Sequence, residues 1–302
     1  MGSEASSLKA ILYAFLANFG IGLSKVVAAV ITGSQAMVAE AIHSFADSLN
    51  QVLLVVGLKR SERPADEEHP LGYGKAIYFW SFLVALLLFS MGGVFSLYEG
   101  YIKLQHEEDL RNPWVAVIVL LFGVSLEIFS LIGCLREINK IRGKKSLWVW
   151  FRTTRKAELM VVLGEDIAAL VGLLLALSAV GLSMITGNPV YDALGSMAIG
   201  ILLIVVAILI AREVKSMMLG ESAEEEKRKA IENHIIKSGR VERIYSLITL
   251  HLGEDLLLSV KIHPKETKNI KKLIADINEL EESLKKNFPE IKYLFVEPDF
   301  QD

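Results

Sequence analysis

Six apolar runs, each near or above 20 residues and separated by short polar connectors, confine most of this chain to membrane-spanning helices. A bilayer core offers no water to backbone N–H and C=O groups, so a span must satisfy them internally, as a helix does. The runs lie at about 8–32, 35–58, 76–98, 113–138, 158–182 and 190–213. Composition agrees: 52% of residues are hydrophobic, only 22% are charged, and the mean hydropathy of +0.42 is too apolar for an ordinary soluble domain. The first run follows neither a basic leader nor a small-residue cleavage site, so it reads as a retained helix.

Short loops set the orientation, because Lys and Arg collect on the cytoplasmic side. Lys59, Arg60, Arg63 and Lys75 lie between the second and third runs, and Arg136, Lys140, Arg142, Lys144 and Lys145 head the basic connector between the fourth and fifth. The loops after the first and fifth runs carry neither Lys nor Arg. An even number of spans then places both termini in the cytoplasm. The expected location is the plasma (inner) membrane of a prokaryote, as a multi-pass protein. A net charge of −3 gives no footing for nucleic acid, and the single cysteine, Cys134, excludes a disulfide framework and a thiolate metal cluster.

After about Gly220 the chain becomes charged and soluble in character. Residues 222–237 read as a charged helix opening on Ser222 and three glutamates, a suitable helix N-terminus. Residues 243–250 and 256–263 read as strands joined at Gly253-Glu254-Asp255. Residues 268–286 repeat Ile270, Leu273, Ile274, Ile277, Leu280 and Leu284 at helical spacing, and 291–296 form a last strand. The α-β-β-α-β order predicts a small ferredoxin-like α+β domain over 220–302, beside an all-α six-helix transmembrane bundle over 1–219.

Inside the second run stand His43 and Asp47, four residues apart and therefore on one helix face. An ionisable side chain at the centre of a span costs roughly 2.5–3.5 kcal/mol on insertion scales, so it faces a partner or a water-filled cavity. One reading is a structural hydrogen bond between helices; the other is a metal path. Zn²⁺ takes neutral imidazole and carboxylate ligands, each of which must lose its proton first, so metal and protons compete at such a site.

The segment Gly33-Ser34-Gln35-Ala36-Met37-Val38-Ala39-Glu40-Ala41-Ile42-His43-Ser44-Phe45-Ala46-Asp47-Ser48-Leu49-Asn50-Gln51, with His69-Pro70-Leu71-Gly72-Tyr73-Gly74, resembles the cation diffusion facilitators. The resemblance runs over nearly the whole length. Leu163-Gly164-Glu165-Asp166 and Ile185-Thr186-Gly187-Asn188-Pro189-Val190-Tyr191-Asp192 are most similar to the branch that contains the mitochondrial zinc transporter of animals. The resemblance implies a secondary transporter, not an enzyme. It exports divalent metal, Zn²⁺ first, in exchange for protons by alternating access, through a site between the second and fifth spans. It also implies a homodimer joined through the cytoplasmic domain.

Asp166 occupies the aspartate position of the fifth-span motif, but Val162 stands where the histidine belongs. Glu165 is the first candidate for the missing ligand, with Asn50, Glu127 and water as alternatives. Replacing an imidazole by oxygen moves preference toward Mn²⁺ or Fe²⁺, and Co²⁺ or Cd²⁺ also suit the set. Structural readings stand beside these: Glu165 could instead contact Lys25 in the first span, and Glu127 could serve as a proton relay or an interhelical hydrogen bond. Glu40, Glu99 and Glu158 read as interfacial or structural, and Asp192 as a helix-capping acid. A metal sensor that binds without transporting is the competing class; a hydrolase lacks any nucleophile or His-Glu-x-x-His motif.

Two further metal positions that the resemblance implies are incomplete: a tight site in the loop is not expected, and whether the soluble domain binds metal stays open. In the loop between the second and third spans, Asp66 and His69 are present but Tyr73 replaces the second histidine. In the soluble domain, Tyr245 and Lys261 stand where histidines belong; Asp299 matches an aspartate, and His251 and His263 are the remaining donors. Gly20, Gly22, Gly92, Gly93, Gly172, Gly195 and Gly200 put small residues in the spans, which lets helices approach closely and rock against one another.

Overall fold

The structure is a computed structural model that describes residues 2–32, 35–105, 113–266 and 269–301, with the side chains of 2–6, 29, 31, 32, 35–43 and 46 outside the description. The chain divides into two compact units, Met1–Lys59 with Ile77–Lys215, and Arg60–Ala76 with Ser216–Asp302.

The first unit is helical. Its elements are α1 (Gly2–Thr32), α2 (Gln35–Ser61), α3 (Ala76–Leu87), a π-helical segment (Leu88–Val94), α4 (Phe95–Gln105), α5 (Pro113–Ile141), α6 (Leu147–Thr153), α7 (Ala157–Thr186) and α8 (Val190–Leu219). Among the described residues five helices are long and apolar enough to cross a membrane: Ser7–Ala28, Ala76–Gln105, Pro113–Ile141, Ala157–Thr186 and Val190–Leu219. The sixth expected span, α2, is a helix of 27 residues whose first nine side chains lie outside the description. Leu12, Leu16, Leu23 and Val27 of α1 point outward, the apolar surface a bilayer would cover.

Several helices run longer than their apolar cores. The third extends to Gln105 rather than residue 98 because the π-helical segment carries it past Gly92 and Gly93 without a break. A Cβ on Gly93 would lie 3.3 Å from the carbonyl oxygen of Gly200, and one on Gly200 would lie 2.8 Å from that of Gly93. The third span and α8 therefore cross backbone to backbone, the close approach small residues allow. Gly187, at φ 66°, ends α7 with its N–H on the Ser183 carbonyl at 2.9 Å. The short α6, which the hydrophobic pattern does not announce, forms where Ser146 accepts the Val149 N–H at 3.3 Å.

The second unit contains α9 (Glu225–Lys237), β1 (Val241–Leu252), β2 (Asp255–Pro264), α10 (Ile270–Asn287) and β3 (Ile291–Pro298). The sheet order is β1-β2-β3, with β1–β2 antiparallel and β2–β3 parallel across the α10 connection, which agrees with the expected α+β order. Leu256, Leu258, Val260 and Ile262 alternate inward along β2 and pack with Ile231 and Ile235 of α9 and Leu280 and Leu284 of α10. The apolar stripe of α10 is only partly covered, because Ile270 and Ile274 are exposed at 75% and 53%.

The loop Arg60–Ala76 belongs to this second unit. A Cβ on Gly74 would sit 1.8 Å from the Leu252 carbonyl oxygen, and one on Gly253 would sit 2.5 Å from the carbonyl oxygen of Gly74. The loop is thus seated backbone to backbone on the β1–β2 turn, where any side chain would force the two apart.

Candidate metal centre

Helix α7 enters the first unit through a sealed stretch: Leu159, Met160, Val161 and Val162 are all fully buried. One turn on, Glu165 and Asp166 are 8% and 2% exposed and face different neighbours, as residues about 100° apart on a helix must. Both oxygens of Glu165 accept carboxamide N–H groups of α2, from Asn50 Nδ2 at 3.0 Å and from Gln51 Nε2 at 2.9 Å. Both oxygens of Asp166 lie 3.1 Å from the Ser130 hydroxyl of α5. Gln51 Oε1 is buried with no hydrogen-bond partner among the described residues.

Asp47, Glu127, Glu165 and Asp166 line one cavity of about 260 Å³ together with Lys25 and Ser44. Lys25 Nζ donates to Ser44 Oγ at 2.9 Å. The cavity continues to Glu99, Lys103, Asp192 and Ser196. There Lys103 ties α4 to α8, with its ammonium 3.4 Å from Glu99, 3.2 Å from Asp192 and 3.5 Å from the Ser196 hydroxyl. Exposure rises along this path, from 2% at Asp166 and Glu127 to side-chain values of 22–34% at Asp192, Glu99 and Lys103. At the other end of α7, Glu158 is buried and accepts a hydrogen bond from Ser7 of α1 at 2.6 Å.

The structure therefore brings Asp47, Asp166, Glu165 and Glu127 to a common space and engages Asn50 through Glu165. His43 is on α2, but its side chain lies outside the described residues, as do Glu40 and Ser34. Among the described residues no three His, Cys, Asp or Glu side chains already converge as a metal-binding group. Asp192 stands in the first turn of α8, where an acid is expected, and also pairs with Lys103, while Asn188 Oδ1 accepts the Val190 N–H at 3.0 Å. Gln51 went unnoticed in the sequence, although His43, Asp47, Asn50 and Gln51 fall at i, i+4, i+7 and i+8 and form one polar stripe on α2.

At the two peripheral positions several of the donors are paired with one another or with neighbours. In the α2–α3 loop, Asp66 accepts the Tyr73 hydroxyl at 2.7 Å and the His69 backbone N–H at 2.7 Å. These bonds hold the Asp66 carboxyl below its usual range and push the Tyr73 phenol up. In the soluble domain, Lys261 pairs with Asp299 at 2.9 Å and lowers the carboxyl's pKa, while Tyr245 Oη and His263 Nδ1 share a hydrogen bond of 2.8 Å. A phenol proton and an ammonium thus lie on the acceptor oxygens of Asp66 and Asp299.

Comparison with known proteins decides the family. Residues 11–219 match the cation efflux transmembrane domain. The chain belongs to the cation efflux family. Its relatives include the mitochondrial proton-coupled zinc antiporter SLC30A9 of Xenopus laevis, 33% identical over 76% of this chain and 41% of the relative. Metal tolerance protein C4 of Arabidopsis thaliana is 27% identical over 80% of this chain and 54% of that protein. The manganese efflux system protein MneP of Bacillus subtilis is 24% identical over 99% of this chain and 98% of its own length. The chain spans less than half the length of the zinc antiporter it matches. As a member of that family it is an integral multi-pass membrane protein.

Proposed function

We propose that this protein exports divalent metal, Zn²⁺ first, in exchange for protons, with the ion held between α2 and α7. The observation that carries the reading is the cavity that joins Asp47 of α2 to Asp166 of α7 and runs on to Asp192. His43, Asp47 and Asp166 are the ligands we assign; Glu165 reaches the ion when one of its amide donors lets go. Two anionic carboxylates offset the dication's charge within a low-dielectric bundle, and the protons they take up after release are the counter-ions. The rise in exposure toward Glu99, Lys103 and Asp192 supports an outward-facing state, with the sealed start of α7 closing the side of the basic loops.

Mn²⁺ is the second reading. A single imidazole among oxygen donors suits it, and a relative that aligns over 99% of this chain is named for manganese efflux. Fe²⁺, Co²⁺ and Cd²⁺ complete the set to be tested. We further propose a homodimer through the soluble domain: Ile248 and Phe295 lie in one row across the sheet and are exposed at 59% and 57%. The basic loops support cytoplasmic termini, and we place the chain in the inner membrane of a prokaryote.

The test is uptake of each metal into proteoliposomes under an imposed pH gradient. Asp47→Ala and Asp166→Ala are each expected to abolish flux, and Glu165→Ala to weaken it without abolishing it. Metal binding with no vectorial flux under any gradient would instead make the protein a sensor.

A further inference from the structure

Between Lys9 and the end of α1 the only charged residue is Lys25. Its neighbours Val26 and Val27 face outward at 37% and 52% exposure, yet Lys25 itself is only 7% exposed. A lysine in a span ordinarily stretches along the helix to reach the interface. This one instead turns inward, donating to Ser44 Oγ at 2.9 Å and lining the cavity with Asp47, Glu127, Glu165 and Asp166.

We infer that Lys25 is a tethered counter-ion of the transport site: its ammonium balances the cavity carboxylates when metal is absent and weakens their hold on metal when it is present. The inference rests on the reading of this cavity as the transport site. Its logic is that of any conducting site, where binding must be firm enough for entry and loose enough for exit. Four carboxylates facing one dication would trap it. A fixed positive charge on α1, a helix that supplies no ligand, raises the energy of the loaded state without competing for a coordination position. Lys25 is thus a specificity-setting and positioning residue: it favours a dication that can displace it over a monovalent ion that cannot.

The test compares wild type with Lys25→Met, which removes the charge but keeps the length, and Lys25→Arg, which keeps the charge. Zn²⁺ and Mn²⁺ binding are measured on the purified chain, and KM and kcat for flux in proteoliposomes. Lys25→Met is expected to bind Zn²⁺ about five- to tenfold more tightly, the water-screened lower end of the effect of one charge on a dication several ångströms away. KM should fall with it while kcat falls as release slows, and Lys25→Arg should behave as wild type. Unchanged or weaker binding in a folded Lys25→Met protein would overturn the inference and make Lys25 a helix-packing residue. So would Lys25→Arg behaving like Lys25→Met. Failure of the wild type to move any metal would sink the transport reading, while the binding comparison would still judge Lys25.

Discussion

The amide pair that holds Glu165 makes an asymmetric prediction. Asn50 and Gln51 each place one N–H on the carboxylate, at 3.0 and 2.9 Å, and both side chains are at least 96% buried. By distance alone the two bonds are equal. Hydrogen bonds to a charged group contribute roughly 1.5–3 kcal/mol in soluble proteins. Interhelical ones in membrane proteins average about 0.6 kcal/mol, with a maximum near 1.7. For a buried carboxyl that accepts on both oxygens the upper membrane figure applies, so Asn50→Leu is expected to cost about 1–2 kcal/mol. Gln51→Leu removes the same bond but also relieves a buried Oε1 that lacks a partner, a group whose burial costs about 1 kcal/mol or more. Its net effect should be about 0–1 kcal/mol.

The chain carries its own reporter for this measurement. Cys134, its single cysteine, is fully buried in α5 and becomes reactive to a thiol dye only when the bundle opens. Asn50→Leu should melt a few degrees below wild type and Gln51→Leu close to it. In the Glu165→Gln background the cost of Asn50→Leu should shrink, because a carboxamide keeps only one of the two acceptor oxygens. If Gln51→Leu proved the more damaging variant, or if neither substitution coupled to Glu165, the clamp would not be what holds α2 against α7. Glu165 would then be free to serve as a standing metal ligand.

Two other features make independent predictions. Gly74→Ala puts a Cβ against the Leu252 carbonyl oxygen, so the loop must lift from the hairpin; trypsin should then cut after Lys75 faster than in wild type, whereas Gly181→Ala, with nothing within 4 Å and an ordinary helical backbone, should not change that rate. Asp299 is held below its ordinary range by Lys261, so its contribution to stability is complete above the unfolded carboxyl pKa of about 4 and is lost as pH falls through the lower folded value. Asp299→Asn should therefore flatten the acid limb of the stability curve of the full chain below about pH 4, and a variant that melts like wild type at every pH would remove the pair from the account.

Periodicity carries some of this structure and is silent on the rest, for reasons visible in single residues. The inward alternation of Leu256, Leu258, Val260 and Ile262 depends only on the two-residue pleat, so it can be read from the sequence. The stripe on α10 obeys the same kind of rule, yet only Leu280 and Leu284 reach the core, because a helix pattern states which face is apolar and not how much of it the sheet covers. The π-helical segment and the seat of Gly74 on the hairpin depend on what approaches from elsewhere in the chain, which local pattern cannot report. Glu165 and Asp166 show the limit most sharply. A turn of 100° per residue requires them to diverge, but not that α2 amides stand on one side and the α5 hydroxyl on the other. Val162 is the physical reason the second motif cannot be completed by analogy. It is fully buried in an apolar stretch, and the nearest carboxylate in sequence, Glu165, has both oxygens on amide donors of α2.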